Sequence, residues 1–136
     1  MIELSPLRPG LTGSAEIVVG EEHTAPFVGS GRVRVLATPV MINLMEAAAL
    51  DAVEKLLPAG HQSLGIRLDV RHYAATPVGM RVRVTAELVK VDGRTLDFRV
   101  EARDEREAIG DGLHQRVVVN VERFDARVQR KIGQSS

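Results

Sequence analysis

The sequence predicts an α+β domain in which one long helix lies against an antiparallel sheet. Two observations carry this. The stretch from Thr38 to Leu57 is the one long helical run, and it bears a wide apolar stripe. After it, apolar and polar residues alternate in four successive runs separated by short turn signals, the period of half-buried strands. A helix and a sheet that each have one apolar side bury those sides against each other, which gives two layers with the sheet wrapped around the helix.

The helix has a start and a stop in the sequence. Thr38 suits the N-cap, where its hydroxyl accepts from a free backbone N–H, and Pro39 suits the first helical position because its missing N–H costs nothing there. Pro58 and Gly60 end it. Stepping about 100° per residue, Met41, Met45, Ala48, Ala49, Ala52 and Leu56 form one apolar stripe, and Asn43, Ala47, Asp51 and Glu54 form the wet side. A second apolar flank holds Ile42, Leu50, Val53 and Leu57, with Glu46 in its middle. A carboxylate among aliphatic groups is unfavourable unless it is paired or protonated. The plain alternative is an exposed helix glutamate.

The strands follow from the alternation. Leu11 to Gly20 reads as a first strand, and Glu21 to Ala37 as a long irregular segment. Leu64, Ile66, Leu68 and Val70 then share one parity, which His72 continues, so His72 is expected on the helix side of the sheet at a strand end. Met80 to Leu88 and Leu96 to Ala102 are two further strands joined by Asp92-Gly93, a hairpin turn signal. Ile109 to Val121 is the last strand, and Phe124, Val128 and Ile132 predict a short amphipathic helix after it.

Bulk properties narrow the function. A chain of 136 residues with 44% hydrophobic and 26% charged content is expected to form a single soluble domain, residues 1–136. Zero net charge argues against a general nucleic-acid binder, and low aromatic content argues against a base-stacking surface. Without cysteine there is no disulfide, thiolate metal site or cysteine nucleophile, and the four histidines lack metal-ligand spacing. No apolar run approaches the roughly 20 residues of a membrane span, and the N-terminus lacks a signal-peptide layout, so a cytoplasmic location is expected. His72 is the side chain suited to proton exchange near neutral pH, although a histidine at a strand end is often structural.

Longer motifs give a resemblance. The element order resembles the hotdog fold, whose members pair into dimers with active sites at the subunit interface. The runs Ala37-Thr38-Pro39-Val40-Met41-Ile42-Asn43-Leu44-Met45-Glu46 and Ser63-Leu64-Gly65-Ile66-Arg67-Leu68-Asp69-Val70-Arg71-His72, the latter continuing to Met80, resemble the fluoroacetyl-coenzyme A thioesterase family, as does the spacing between them. A weaker match runs through Ile109 to Arg116 and Arg123 to Val128, so the resemblance covers roughly Ala37 to the C-terminus.

It implies that Thr38, Glu46 and His72 are catalytic and that Gly65 and Arg116 line the substrate pocket. It further implies hydrolysis of a short acyl-CoA by a homodimer, without metal or organic cofactor. The residue types suit the chemistry, because a thioester carbonyl needs a nucleophile or activated water, a base, and donors for the oxyanion. The plain roles are an N-cap for Thr38, a bulge for Gly65 and a surface ion pair for Arg116. The pairs Arg32/Arg34 and Arg81/Arg83 and the group Arg123/Arg127/Arg130/Lys131 are candidate phosphate contacts, though interleaved acids fit solvated faces equally. Members that select fluoroacetyl-CoA are expected to carry an aromatic lid before the threonine. Here that region is Ser30 to Leu36, with only Phe27 upstream. A non-catalytic acyl-CoA or acyl-carrier binding protein of the same fold is the alternative function, and the complete Thr38/Glu46/His72 set favours catalysis over it.

Overall fold

The computed structural model describes residues 4–133. Strand β1 spans Thr12–Val18, a short helix α1 spans Ala25–Val28, and the long helix α2 spans Thr38–Val53 and runs on as a 3-10 turn over Glu54–Leu56. Strands β2 (His61–His72), β3 (Arg81–Asp92), β4 (Thr95–Asp104) and β5 (Ala108–Asn120) follow, and helix α3 (Val121–Gln129) comes after them. The strands form one five-stranded antiparallel sheet in the order β1-β3-β4-β5-β2. This is the expected hotdog layout, with α2 laid along the inner face of the curled sheet.

The predicted stripes account for the core. Met41, Met45, Ala48, Ala49, Ala52 and Val53 of α2 are buried against Val82, Val84, Ala86 and Leu88 of β3 and Leu96, Phe98, Val100 and Ala102 of β4. Small residues let the axis come close. At Gly13 of β1 an added Cβ would collide with the α2 backbone at Ala48 and Ala52, so only glycine fits between strand and helix. Of the expected wet side Asn43, Ala47 and Asp51 are exposed, but Glu54 is half-buried and accepts from Ser63. Leu56, expected in the apolar stripe, is exposed where α2 gives way to the 3-10 turn; Ile42, Glu46 and Leu50 are half-buried. Among the described residues no helix is long and apolar enough to cross a membrane.

Two expectations need correction. Alternation along β2 put Leu64 and His72 on one face, but the register between β2 and β5 shifts between Gly65 and Arg67. The extra residue, Ile66, reverses the parity. Ser63 and Gly65 therefore face inward before the bulge, and Leu68, Val70 and His72 face inward after it, opposite His114, Gly112 and Gly110. Leu64 is turned outward, opposite Val117. β2 is also a sheet edge that α2 scarcely covers, so Leu64, Ile66 and Leu68 remain 36%, 53% and 38% exposed. The second correction concerns Thr38. The N-cap is Ala37, Thr38 is the first helical residue, and no side chain caps the helix. The threonine hydroxyl has another partner.

Candidate active site

That partner is His72. Thr38 Oγ1 lies 2.7 Å from His72 Nδ1. The first turn of α2 presents the hydroxyl, and the last residue of β2 presents the ring, brought to the helix side by the Ile66 bulge. Close approach is possible because His72 pairs with Gly110, whose missing side chain leaves room for Met41 Sδ. Burial pushes the imidazole below its ordinary value of 6.5, and the Ala74 backbone opposes this only in part. The ring is therefore neutral at pH 7, the form that can accept a proton. Nε2 is buried and has no hydrogen-bond partner among the described residues.

Thr38 and His72 open onto a cleft of about 350 Å³, whose other walls include Val33, Val35, Tyr73 and Arg32. Tyr73 is held at the rim by Asp111, which accepts from its hydroxyl at 3.0 Å and from Arg71 Nη2 at 3.2 Å. Of the arginines singled out in the sequence, Arg34 is tied to Glu21, and Arg81 and Arg83 to Glu16. Arg123 and Arg127 line a separate cleft with Arg94 and Phe124.

Glu46 is not part of the Thr38–His72 pair. It lies two turns further along α2, on the order of 12 Å of axial rise at 1.5 Å per residue. Its Oε2 receives Arg116 Nη1 at 3.3 Å, and the Glu46 side chain is 37% exposed. Arg116 is 4% exposed and fully engaged on its inner side. Its Nε donates to Ser63 Oγ at 2.8 Å, its Nη2 to the Ser63 carbonyl at 2.9 Å, and its Nη1 also to His114 Nε2 at 3.1 Å. Ser63 in turn donates to Glu54 from its hydroxyl and its backbone N–H. Gly65 stands directly over this group, since a Cβ there would collide with Glu46 Oε2. The ion pair of Arg116 is thus buried at the arginine and half-open at the carboxylate, not a pair on the outer surface. The inward row of β5 is His114, Arg116 and Val118, and the polar members are tolerated because each is hydrogen-bonded.

So the structure joins Thr38 to His72, and Glu46 to Arg116 and Gly65, as two clusters within one chain. His114 belongs to the second cluster and was not singled out from the sequence. Its signals were a shared parity with Arg116, two residues on, and a place in the weaker Ile109 to Arg116 match.

Comparison with known proteins agrees with this architecture. The profile described as fluoroacetyl-CoA-specific thioesterase matches residues 19–122. The fluoroacetyl-CoA thioesterase of Streptantibioticus cattleyicolor is 47% identical over 97 residues, 71% of this chain and 70% of that protein. The chain belongs to the fluoroacetyl-CoA-specific thioesterase family. A solved fluoroacetyl-CoA thioesterase structure superposes with a TM-score of 0.87 at 39% identity, covering 92% of this chain and 97% of that one. A Thermus thermophilus protein described as a thioesterase superfamily member gives 0.85 at 34% identity, with 92% and 93% covered. A hot-dog-like protein from Thermanaerovibrio acidaminovorans gives 0.88 at 22% identity over 96% and 97% of the two chains, which supports the fold. The cleft wall before Thr38 is aliphatic in this chain. Val33 and Val35 line it, and Phe27 lies exposed on α1 outside the lining.

Proposed function

We propose that this chain is a cytoplasmic, homodimeric thioesterase that hydrolyses a short acyl-CoA to the free acid and CoA, with Thr38, His72 and Glu46 as its catalytic groups. The observation that carries the reading is the 2.7 Å contact between the Thr38 hydroxyl and a neutral, half-buried His72 at the mouth of a cleft. His72 Nδ1 takes the Thr38 proton as Oγ1 attacks the thioester carbonyl. The first turn of α2 favours the negative charge that develops on the carbonyl oxygen. The C–S bond breaks, the His72 proton goes to the departing CoA sulfur, and an acyl-threonine ester is left. Water, oriented by the Glu46 carboxylate and deprotonated by His72, then hydrolyses that ester and returns the proton to Thr38.

Glu46 is too far along α2 to serve the pair in its own chain, and self-pairing of β2 supplies the remedy. β2 is a twelve-residue edge strand with exposed aliphatic side chains on both sides of its bulge, a strand edge suited to association. Antiparallel pairing of two copies about the strand's middle sets the His72 end of one beside the Ser63–Gly65 end of the other. On this reading Thr38 and His72 work with Glu46 of the partner subunit, and Gly65 and Arg116 shape the floor of the pocket there. The aliphatic wall of Val33 and Val35 favours a short acyl group without special preference for fluorine.

The test is an acyl-CoA panel (acetyl, fluoroacetyl, propionyl and longer chains) read by release of free thiol. Turnover of the short members with little discrimination between acetyl and fluoroacetyl is expected. Silence across the panel with tight binding retained would replace the enzyme with a binding protein.

A further inference from the structure

We propose that His114 is a positioning residue for Glu46, acting through Arg116 as a fixed, neutral hydrogen-bond acceptor; this rests on the reading that Glu46 takes part in hydrolysis.

The ring is defined on all sides. It is 1% exposed and stacks on Phe98 with centroids 6.2 Å apart. Nδ1 lies 2.9 Å from the Arg67 carbonyl oxygen, which can only accept, so Nδ1 carries the hydrogen. In a neutral imidazole this leaves Nε2 with a lone pair, and Arg116 Nη1 donates to it at 3.1 Å. The tautomer is therefore set by a main-chain carbonyl, that of Arg67, the residue after the Ile66 bulge.

Arg116 then has three anchors on the protein, namely His114 Nε2, Ser63 Oγ and the Ser63 carbonyl. Ser63 is itself held by Glu54. These fix the plane of the guanidinium, and the second hydrogen of Nη1 is left to meet Glu46 Oε2 at 3.3 Å. Without the His114 acceptor, Nη1 loses the bond that divides its two hydrogens between ring and carboxylate. The guanidinium is then free to swing about its Ser63 anchors, and the carboxylate loses its fixed direction. The charged groups facing the ring are Arg116 from its own strand and Glu46 from α2. Burial and Arg116 lower the affinity of His114 for a proton, while the Arg67 carbonyl and Glu46 raise it, with a net lowering that keeps the ring an acceptor.

Two variants separate the acceptor from the packing. His114→Phe keeps the stacking on Phe98 and removes the lone pair, whereas His114→Gln supplies a carbonyl oxygen in its place. H114F is expected to lose kcat by at least about tenfold, as misplacement of a reacting group does, with KM within about twofold and with the thermal transition retained. H114Q is expected to recover most of kcat. Equal damage in both variants would assign the loss to packing, and wild-type kcat in H114F would remove the residue from the mechanism; either result overturns the proposal. Nitrogen-15 spectra of the histidine rings in the wild-type protein give a readout independent of any variant's folding. A neutral Nδ1–H tautomer at pH 7 is expected for His114, and a charged ring or an Nε2–H tautomer contradicts it. A wild type that hydrolyses no thioester would defeat the functional reading instead, and the ring spectra would still decide the acceptor.

Discussion

The carboxylate of Glu46 occupies the space that a side chain at position 65 would fill, so the identity of one residue fixes the position of the other. Gly65 has backbone angles open to any residue; among the described residues it is absent from the glycines with positive φ. Its glycine is a matter of room for the acid, not of chain conformation.

Gly65→Ala is therefore expected to displace Glu46 while leaving the strand intact. The added methyl meets Glu46 Oε2, and the His114 ring lies only 3.1 Å away on another side. Overpacking of this kind costs about 1–3 kcal/mol. Turnover should fall by at least about tenfold, since a small misplacement at a reacting centre is enough for that. Steady-state kinetics beside a thermal melt check it, and full activity with an unchanged melt would separate Gly65 from the site.

The Thr38–His72 pair predicts a graded series. Thr38→Ala and His72→Ala should each lower kcat by at least about a hundredfold, the loss expected for a missing nucleophile or base. Thr38→Ser should retain a substantial fraction, because it keeps the hydroxyl. The Thr38 side chain caps nothing, so T38A should melt close to wild type. Intact-protein mass spectra of Glu46→Gln mixed with acetyl-CoA should gain an acetyl group on Thr38, which T38A cannot accept.

Stability should depend on pH through two histidines. Both His72 and His114 bind protons less readily in the fold than their ordinary value of 6.5, burial being the first cause for each. Because the unfolded chain then binds more protons in this range, stability is fully present above about 6.5 and is lost as pH falls towards the folded-state values. Asp104 behaves otherwise. Its burial is outweighed by hydrogen bonds from Arg106, Thr76 and Glu107, so its contribution is lost only as pH drops below 3.8. Melting temperature should therefore decline between pH 7.5 and 5.5, and replacing His114 by Gln should reduce that decline. The acid limb of kcat/KM should fall below pH 6.5, where His72 becomes charged.

The fold was legible because it rests on patterns that local sequence records: the α2 stripe, the alternating rows of β3 and β4, and the Asp92-Gly93 turn all appear where expected. Thr38, Gly65, Glu46 and His72 were singled out through the resemblance of two long motifs, and Arg116 through a weaker one. Their grouping was not legible. A one-residue bulge at Ile66 leaves no mark on an apolar alternation, yet it decides which side chains of β2 face the helix. Nor does a threonine before a proline reveal whether its hydroxyl caps the helix or meets an imidazole from a strand thirty-four residues away. His114 was missed because its proposed role depends on a carbonyl from β2, that of Arg67, forty-seven residues away in the chain.

The proposed working site draws Thr38 and His72 from one chain and Glu46 from its partner. Mixing the inactive variants T38A and E46Q, after unfolding and refolding together, tests it most directly. Random pairing makes about half the dimers mixed, each with one complete site of two, so about a quarter of wild-type activity should return. If the mixture stays as inactive as its components while size measurements confirm mixed dimers, the site lies within a single chain and the claim fails.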